Sequence, residues 1–485
     1  MGIWIERDLY KDLLHWKTRH LKLSLILGGC RQSGKTSILS FLGRNEFKST
    51  ITVDLSDPVL KSRLESLMQK YYMEGSGLED DGWFIEKSYM DIGKSFENNS
   101  STLLIIDEVQ ESAYIYNKIR HFTRGLKCYS AFTGSYLSEV NLGKEFRESA
   151  GDTCFLTLYP ISFIEFIRAE KAFENFLSVN IFRKNFSVDD LKVLEKVDNL
   201  YKIYCTLGGY PRVISEYLET RDLEGCSELL PWLVHNIYGE LEKRFSSSMT
   251  YELWDYTSKA VAKALIFNKE FSSELDEIYE LMSYESVADA PCKEKVWMAL
   301  KWMRGCNIVN AVPVAKQKVF TDFTPINKFF FTDIGIFQEM VARAVIDQGS
   351  LIGHVSEQFV FLSLMSIKSM FLHGWIETYH KMGDKFEEEV DFVVCTNTRK
   401  ILLIEVKATG GSTKSSNRIL ETKRADYMVK FENHTGVIQK DRAVLPVWGV
   451  IHLKKIVDLL DEGKIGVNVS DETFDKWNNQ NADSV

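Results

Sequence analysis

No apolar run in this 485-residue chain approaches the roughly 18 residues needed to cross a bilayer, so a membrane-spanning protein is not expected. A secretory leader is not expected either. The opening Met1-Gly2-Ile3-Trp4-Ile5-Glu6-Arg7 puts acid and base where a signal peptide needs its apolar core. The eight cysteines (Cys30, Cys128, Cys154, Cys205, Cys226, Cys292, Cys306, Cys395) stand singly, with no C-x-x-C pair. That pattern reads as reduced intracellular thiols rather than a disulfide frame or a zinc site. Excess positive charge is also lacking, since 59 Lys and Arg against 68 Asp and Glu leave a net charge of −9. A general coat of positive charge for nucleic acid is thereby excluded, though a local basic groove is not. With 45% hydrophobic residues the chain can pack cores, and its length suggests about three domains. A cytoplasmic multidomain protein is expected.

What is present begins with Leu25-Ile26-Leu27-Gly28-Gly29-Cys30-Arg31-Gln32-Ser33-Gly34-Lys35-Thr36-Ser37. From Gly29 it fits G-x-x-x-x-G-K-[ST], with a strand-like apolar run before it and a helical pattern after it. Residues 29–37 are expected to cradle the phosphates of ATP on backbone N–H groups. Lys35 would reach the β and γ phosphates, and the Thr36 hydroxyl would take a position on Mg²⁺. Leu103-Leu104-Ile105-Ile106-Asp107-Glu108 reads as a doubly buried strand ending in acids. Asp107 is expected on the metal and Glu108 on the attacking water. A third strand ends at Thr133-Gly134-Ser135, whose hydroxyls either sense the γ-phosphate or merely cap the strand.

Several stretches in order resemble the bacterial and archaeal AAA+-type predicted ATPases that carry a domain of unknown function. They are Arg31-Gln32-x-Gly34-Lys35-Thr36, Ile106-Asp107-Glu108-Val109-Gln110, Thr133-Gly134-Ser135, Leu158-Tyr159-Pro160-Ile161-Ser162-Phe163, and Gly208-Gly209-Tyr210-Pro211. Cys30 stands where that family usually has Pro. Gly151-Asp152 replaces its usual Gly-Arg, which weakens the expectation of an arginine contributed there to a neighbouring subunit. Arg147, Arg212 and Arg244 are the other arginines considered for that role. The resemblance implies a homo-oligomer, a helical lid, and a winged-helix segment. The Gly208-Gly209-Tyr210-Pro211 turn either approaches the nucleotide or simply joins two helices. The strand pair of the wing would be Asn307–Val314 and Lys328–Thr332. The helix Lys293–Arg304, with Lys293, Lys295, Lys301 and Arg304, would either touch DNA phosphates or pack through Trp297, Leu300 and Met303.

The late segment Glu387–Ala408 holds two β-rich flanks around a turn at Asn397-Thr398-Arg399. A three-residue loop sets positions summing to 796 opposite each other. Asp391 then faces Glu405 and Glu389 faces Lys407, all on one side of the sheet. Two facing carboxylates call for a cation between them, and a divalent metal with Lys407 beside it would suit phosphodiester chemistry. The stretch resembles the PD-(D/E)XK nuclease superfamily, which implies Mg²⁺ (or Mn²⁺) on Asp391 and Glu405, with Glu357 completing the site. Glu-x-Lys by itself is common, recurring at Glu46, Glu421 and Glu462. What marks Glu405 is the strand before it and the Asp391 partner. The competing expectation is a nuclease-like fold kept for interactions, with ion pairs alone. Asp333, in Phe331-Thr332-Asp333-Ile334-Gly335, is expected to cap a helix.

The expected architecture is therefore multidomain α/β. A P-loop AAA+-like parallel-sheet core (1–165) leads to a helical lid (166–250), a winged-helix-like segment (251–330), a PD-(D/E)XK-like domain (331–465) and a polar tail (466–485). Expected partners are ATP, Mg²⁺ and DNA, with a role in defence or nucleic-acid processing. The rival is an ATP-switched regulator that cuts nothing. Between residues 350 and 460 there are 15 Lys and Arg against 13 Asp and Glu, so the acidity lies elsewhere in the chain.

Overall fold

The computed structural model describes residues 4–19, 21–73, 97–135, 137, 151–179, 186–245, 255, 257–259, 262, 299, 302–315, 327–341, 348–381, 387–407, 412–432, 437–438 and 441–463. Two compact units are present. One comprises Glu6–Pro160 with Lys301–Ile308, and the other Met1–Ile5, Ile161–Leu300 and Val309–Val485. Among the described residues no helix is long and apolar enough to cross a membrane.

The first unit is built on five parallel strands in the order β2-β3-β4-β1-β5: β1 Ser24–Gly28, β2 Ser49–Asp54, β3 Thr102–Asp107, β4 Tyr129–Thr133 and β5 Thr153–Thr157. Parallel pairing demands helical crossovers, so the central strands are buried on both faces. Side-chain alternation shows this directly. Leu25, Leu27, Leu103, Ile105 and Ala131 pack with Ile38, Leu39 and Leu42 of the helix Lys35–Glu46 and with Leu13 and Trp16 of Leu9–Thr18. Ile26, Leu104, Ile106 and Phe132 face the other way, onto Leu64, Met68 and Phe122. Strand β4 lies between β1 and β3, so the ends of all three converge on one edge of the sheet.

The second unit opens with helices Phe163–Ala169, Phe173–Ser178, Val188–Leu207, Pro211–Thr220 and Leu229–Phe245. Two of them start on capping boxes that the sequence encodes, Ser162 with Glu165 and Ser187 with Asp190. The helices expected as a lid group with the C-terminal sheet rather than with the parallel one. Gly208-Gly209-Tyr210-Pro211 is structural here. Gly209 O accepts from Ile161 N (2.7 Å) and Gly209 N donates to Asp333 Oδ2 (2.6 Å), while Tyr204 Oη donates to Ile161 O (2.7 Å). A Cβ on Gly209 would run into the Ile161 carbonyl. Asp333 caps the helix Ile334–Met340 through Ile336 N (2.9 Å), as expected.

Eight strands follow in the order β12-β13-β11-β10-β9-β8-β6-β7: β6 Val309–Ala315, β7 Asn327–Phe331, β8 Phe371–Lys381, β9 Glu388–Thr396, β10 Ile401–Val406, β11 Tyr427–Glu432, β12 Val437–Ile438 and β13 Arg442–Pro446. The helix Gln348–Ser366 precedes an antiparallel run β8-β9-β10. The helix Lys414–Glu421 then returns the chain to β11, parallel to β10. Strands β6 and β7 pair antiparallel, as expected of a wing. Yet β6 also pairs in parallel with β8, so the pair is an extension of this sheet. Of the helix proposed to precede the wing, Lys293, Lys295, Trp297, Leu300 and Lys301 lie outside the described residues, as does the tail from 466, while Met303 is buried and Arg304 is exposed.

Candidate functional site

Strand β1 ends at Gly28 and the chain turns immediately. Gly29 has φ +140°, and any Cβ there would collide with the Leu158 carbonyl. Gly34, at φ +95°, starts the helix Lys35–Glu46. The loop between, Cys30-Arg31-Gln32-Ser33, closes on itself: Ser33 Oγ donates to Cys30 O at 2.8 Å. Arg7 braces it from outside, donating to Ser33 O (3.2 Å) and Tyr159 O (2.5 Å). Nothing in the sequence pointed to that arginine. Cys30 is 1% exposed, and its carbonyl accepts from both Ser33 and Lys35. Ser37 lies exposed one residue beyond Thr36.

The residues expected at this site are brought together. Lys35, 5% exposed, donates to Gly29 O (3.1 Å), Cys30 O (2.7 Å) and Ser135 Oγ (3.2 Å). Burial pushes its ammonium pKa down, opposed first by the Glu108 carboxylate and then by Cys30 and Asp107. Thr36 Oγ1 donates to Asp107 Oδ2 at 2.7 Å, and Thr133 Oγ1 donates to Asp107 Oδ1. Thr133 and Ser135 are therefore wired to Asp107 and Lys35 rather than to their own strand end. Glu108 has φ +53° and its carboxylate accepts from Gln110 Nε2. A hydroxyl and a carboxylate already within hydrogen-bond distance suit a hard octahedral cation, so Thr36 and Asp107 fit Mg²⁺.

Asp152, where the family usually has Arg, takes a bidentate pair from Arg124 at 2.9 and 2.8 Å. Arg212 is exposed, 3.8 Å from Glu216. Arg147 lies outside the described residues and the Arg244 side chain is not described.

At the second site the hairpin register is the expected one: Ile401 faces Cys395, and Ile404 faces Phe392. Asp391 (9% exposed) and Glu405 (2% exposed) come together beyond the last pair. The cation between them is Lys407, whose Nζ lies 2.8 Å from Asp391 Oδ2 and 2.9 Å from Glu405 Oε2. Lys407 thus partners Asp391 and Glu405, and its backbone N–H donates to Phe431 O of β11 (2.8 Å). Val406 N adds a 2.7 Å bond to Asp391 Oδ2, and Ser416 Oγ donates to Glu405 Oε1.

Glu357 does not join one donor set with these acids. It pairs with Lys328 of β7, a residue that the sequence offered only as the start of the wing strand. Among the described residues no group of three or more His, Cys, Asp or Glu is placed to hold a metal. Burial raises the Glu405 carboxyl, and the neighbouring Asp391 adds to it. Burial works against the Lys407 ammonium, but Asp391 and Glu405 outweigh it and its pKa goes up. Asp391 and Glu405 remain a fit for Mg²⁺, which is commonly held by one or two carboxylates with water and substrate phosphate.

Comparison with known proteins agrees with this division. Residues 22–167 match the family described as AAA domain, and residues 352–456 match Domain of unknown function (DUF4143). The chain thus carries an AAA domain and a distinct C-terminal domain. No curated protein matches. Solved structures similar to the chain include Drosophila ORC bound to DNA (14% identity, 66% of this chain and 90% of that one, TM-score 0.26). Aeropyrum pernix ORC1 in complex with DNA is 12% identical over 71% of this chain and 96% of that one, TM-score 0.26. The Thermotoga maritima RuvB Holliday junction branch migration motor is 14% identical over 64% and 90%, TM-score 0.26.

Proposed function

We propose that the chain binds and hydrolyses ATP at its AAA domain, and that this turnover governs a PD-(D/E)XK-like domain that cleaves DNA. The observation carrying the first half is the web that ties Thr36 and Thr133 to Asp107 and Lys35 to Ser135. Three separate strand ends supply one contiguous set of phosphate and metal groups. Backbone N–H groups of residues 29–36 and the Lys35 ammonium would bind the β and γ phosphates. Mg²⁺ held by Thr36 and Asp107 would offset phosphate charge. Glu108 would orient the attacking water and accept its proton. Lys35→Ala is expected to abolish ATP binding. Glu108→Gln should keep binding while kcat falls by about 10²-fold or more, read in a phosphate-release assay.

Support for the second half is the helix, three antiparallel strands, helix and parallel strand around Asp391, Glu405 and Lys407. Asp391 and Glu405 would hold Mg²⁺ or Mn²⁺, and Lys407 would stabilise charge on the phosphate. Lys414, Arg418, Lys423 and Arg424 stand on or just after the helix that follows, where a DNA backbone could be gripped. One observation favours the second reading, a partner-binding domain that cuts nothing: the Lys407 ammonium already bridges both carboxylates. A cleavage assay decides, with Mg²⁺ or Mn²⁺, with and without ATP, on wild type and Asp391→Ala/Lys407→Ala. Metal-dependent cutting lost in the double variant supports the nuclease. No cutting of any DNA by wild type leaves the interaction reading. A homo-oligomer belongs to the same proposal and is read by light scattering with and without ATP.

A further inference from the structure

Gln110 lies on the short turn Val109–Glu111 that follows β3, and it is 6% exposed. Its Nε2 donates to Glu108 Oε2, while its Oε1 is buried without a hydrogen-bond partner among the described residues. A half-satisfied amide in such a place works against folding, and a hydrocarbon of similar shape would fill it at less cost. The requirement for an amide therefore comes from Glu108. That residue has φ +53°, uncommon for a side chain with a Cβ, so backbone and amide together set where its carboxylate points.

The amide also needs a seat. A Cβ on Gly134 would run into Gln110 Oε1 and into Leu137. Gly134 stands between Thr133, bonded to Asp107, and Ser135, bonded to Lys35. Gln110 thus bridges the acid after β3 to the segment after β4 that touches the phosphate-binding lysine.

We propose that Gln110 is a positioning residue for ATP hydrolysis: its amide holds the Glu108 carboxylate where it orders the attacking water, and Gly134 leaves room for it. The inference rests on the ATPase reading above. It is tested on the full chain by Gln110→Leu, which keeps the bulk and removes the donor, and by Gly134→Ala, which displaces the amide from the other side. Three quantities are read: kcat for ATP, affinity by competition with a fluorescent ATP analogue, and Tm.

In Gln110→Leu, kcat should fall about tenfold, affinity should stay within about twofold, and Tm should hold or rise. Gly134→Ala should reproduce the fall in kcat. An unchanged kcat in Gln110→Leu, with an active wild type, overturns this inference and leaves the ATPase intact. Parallel losses of Tm, affinity and kcat overturn it as well, since they mark a packing residue. A wild type that never turns over ATP takes down the ATPase reading and this inference together.

Discussion

Gly29 and Lys407 show how much single positions carry. Gly29 combines φ +140° with contact against the Leu158 backbone, so Gly29→Ala faces strain and collision at once. A loss of about 2–4 kcal/mol is expected, measured by denaturant unfolding, with ATP binding reduced in parallel. Lys407 is a different case. Removing it leaves Asp391 and Glu405 facing each other in a buried site where, among the described residues, Val406 N and Ser416 are the remaining donors. Lys407→Met should therefore cost about 3–5 kcal/mol. The triple change Asp391→Asn/Glu405→Gln/Lys407→Met should cost less than Lys407→Met alone. That inversion, seen in urea midpoints, distinguishes an uncompensated charge from lost packing.

Among the elements, β7 is held by a helix outside its ladder. It is the last strand of its sheet, paired only with β6. The Gln358 side chain stands in for a second strand, accepting from Phe331 N (2.9 Å) and donating to Phe331 O (2.5 Å). The adjacent Glu357 takes Lys328, and Phe330 stacks on Phe361 at 4.6 Å. Consecutive residues of one helix thus fasten both ends of the strand. Gln358→Leu leaves two buried backbone groups unpaired, at an expected cost of about 2–4 kcal/mol. Hydrogen exchange should locate the loss, with faster exchange in Asn327–Phe331 and little change in β9 and β10.

At the scale of the whole molecule, acidity and burial make stability depend on pH in a way that Asp333 reports. Burial pushes its carboxyl from 3.8 up to about 6, against bonds from Gly209, Ile336 and Gly335 that lower it. The folded state therefore holds that proton more tightly than the unfolded chain does. Asp333's contribution is most favourable below pH 3.8, declines as pH rises from about 4 to 6, and is flat above. The Tm of wild type minus that of Asp333→Asn should fall over that window and stay constant from pH 7 upward. A difference that grows with pH would mean the carboxylate is stabilised in its charged form.

Motifs whose parts are close in sequence were legible from the start, because a local spacing encodes a local geometry. The phosphate loop, the acids ending β3 and the 796 register of the β9–β10 hairpin all belong here. The side of each β-strand that a residue occupies is likewise a matter of alternation. Tertiary structure decided what no spacing states: that Thr133 and Ser135 serve Asp107 and Lys35, that Arg7 braces the loop, and that Arg124 answers Asp152. It also decided that Lys328 takes Glu357, and that the supposed wing completes a sheet through β8. These pairings join residues up to 152 positions apart, brought together by strand order and crossover. Periodicity tells a residue which way to face, but only the packed neighbour determines what it meets.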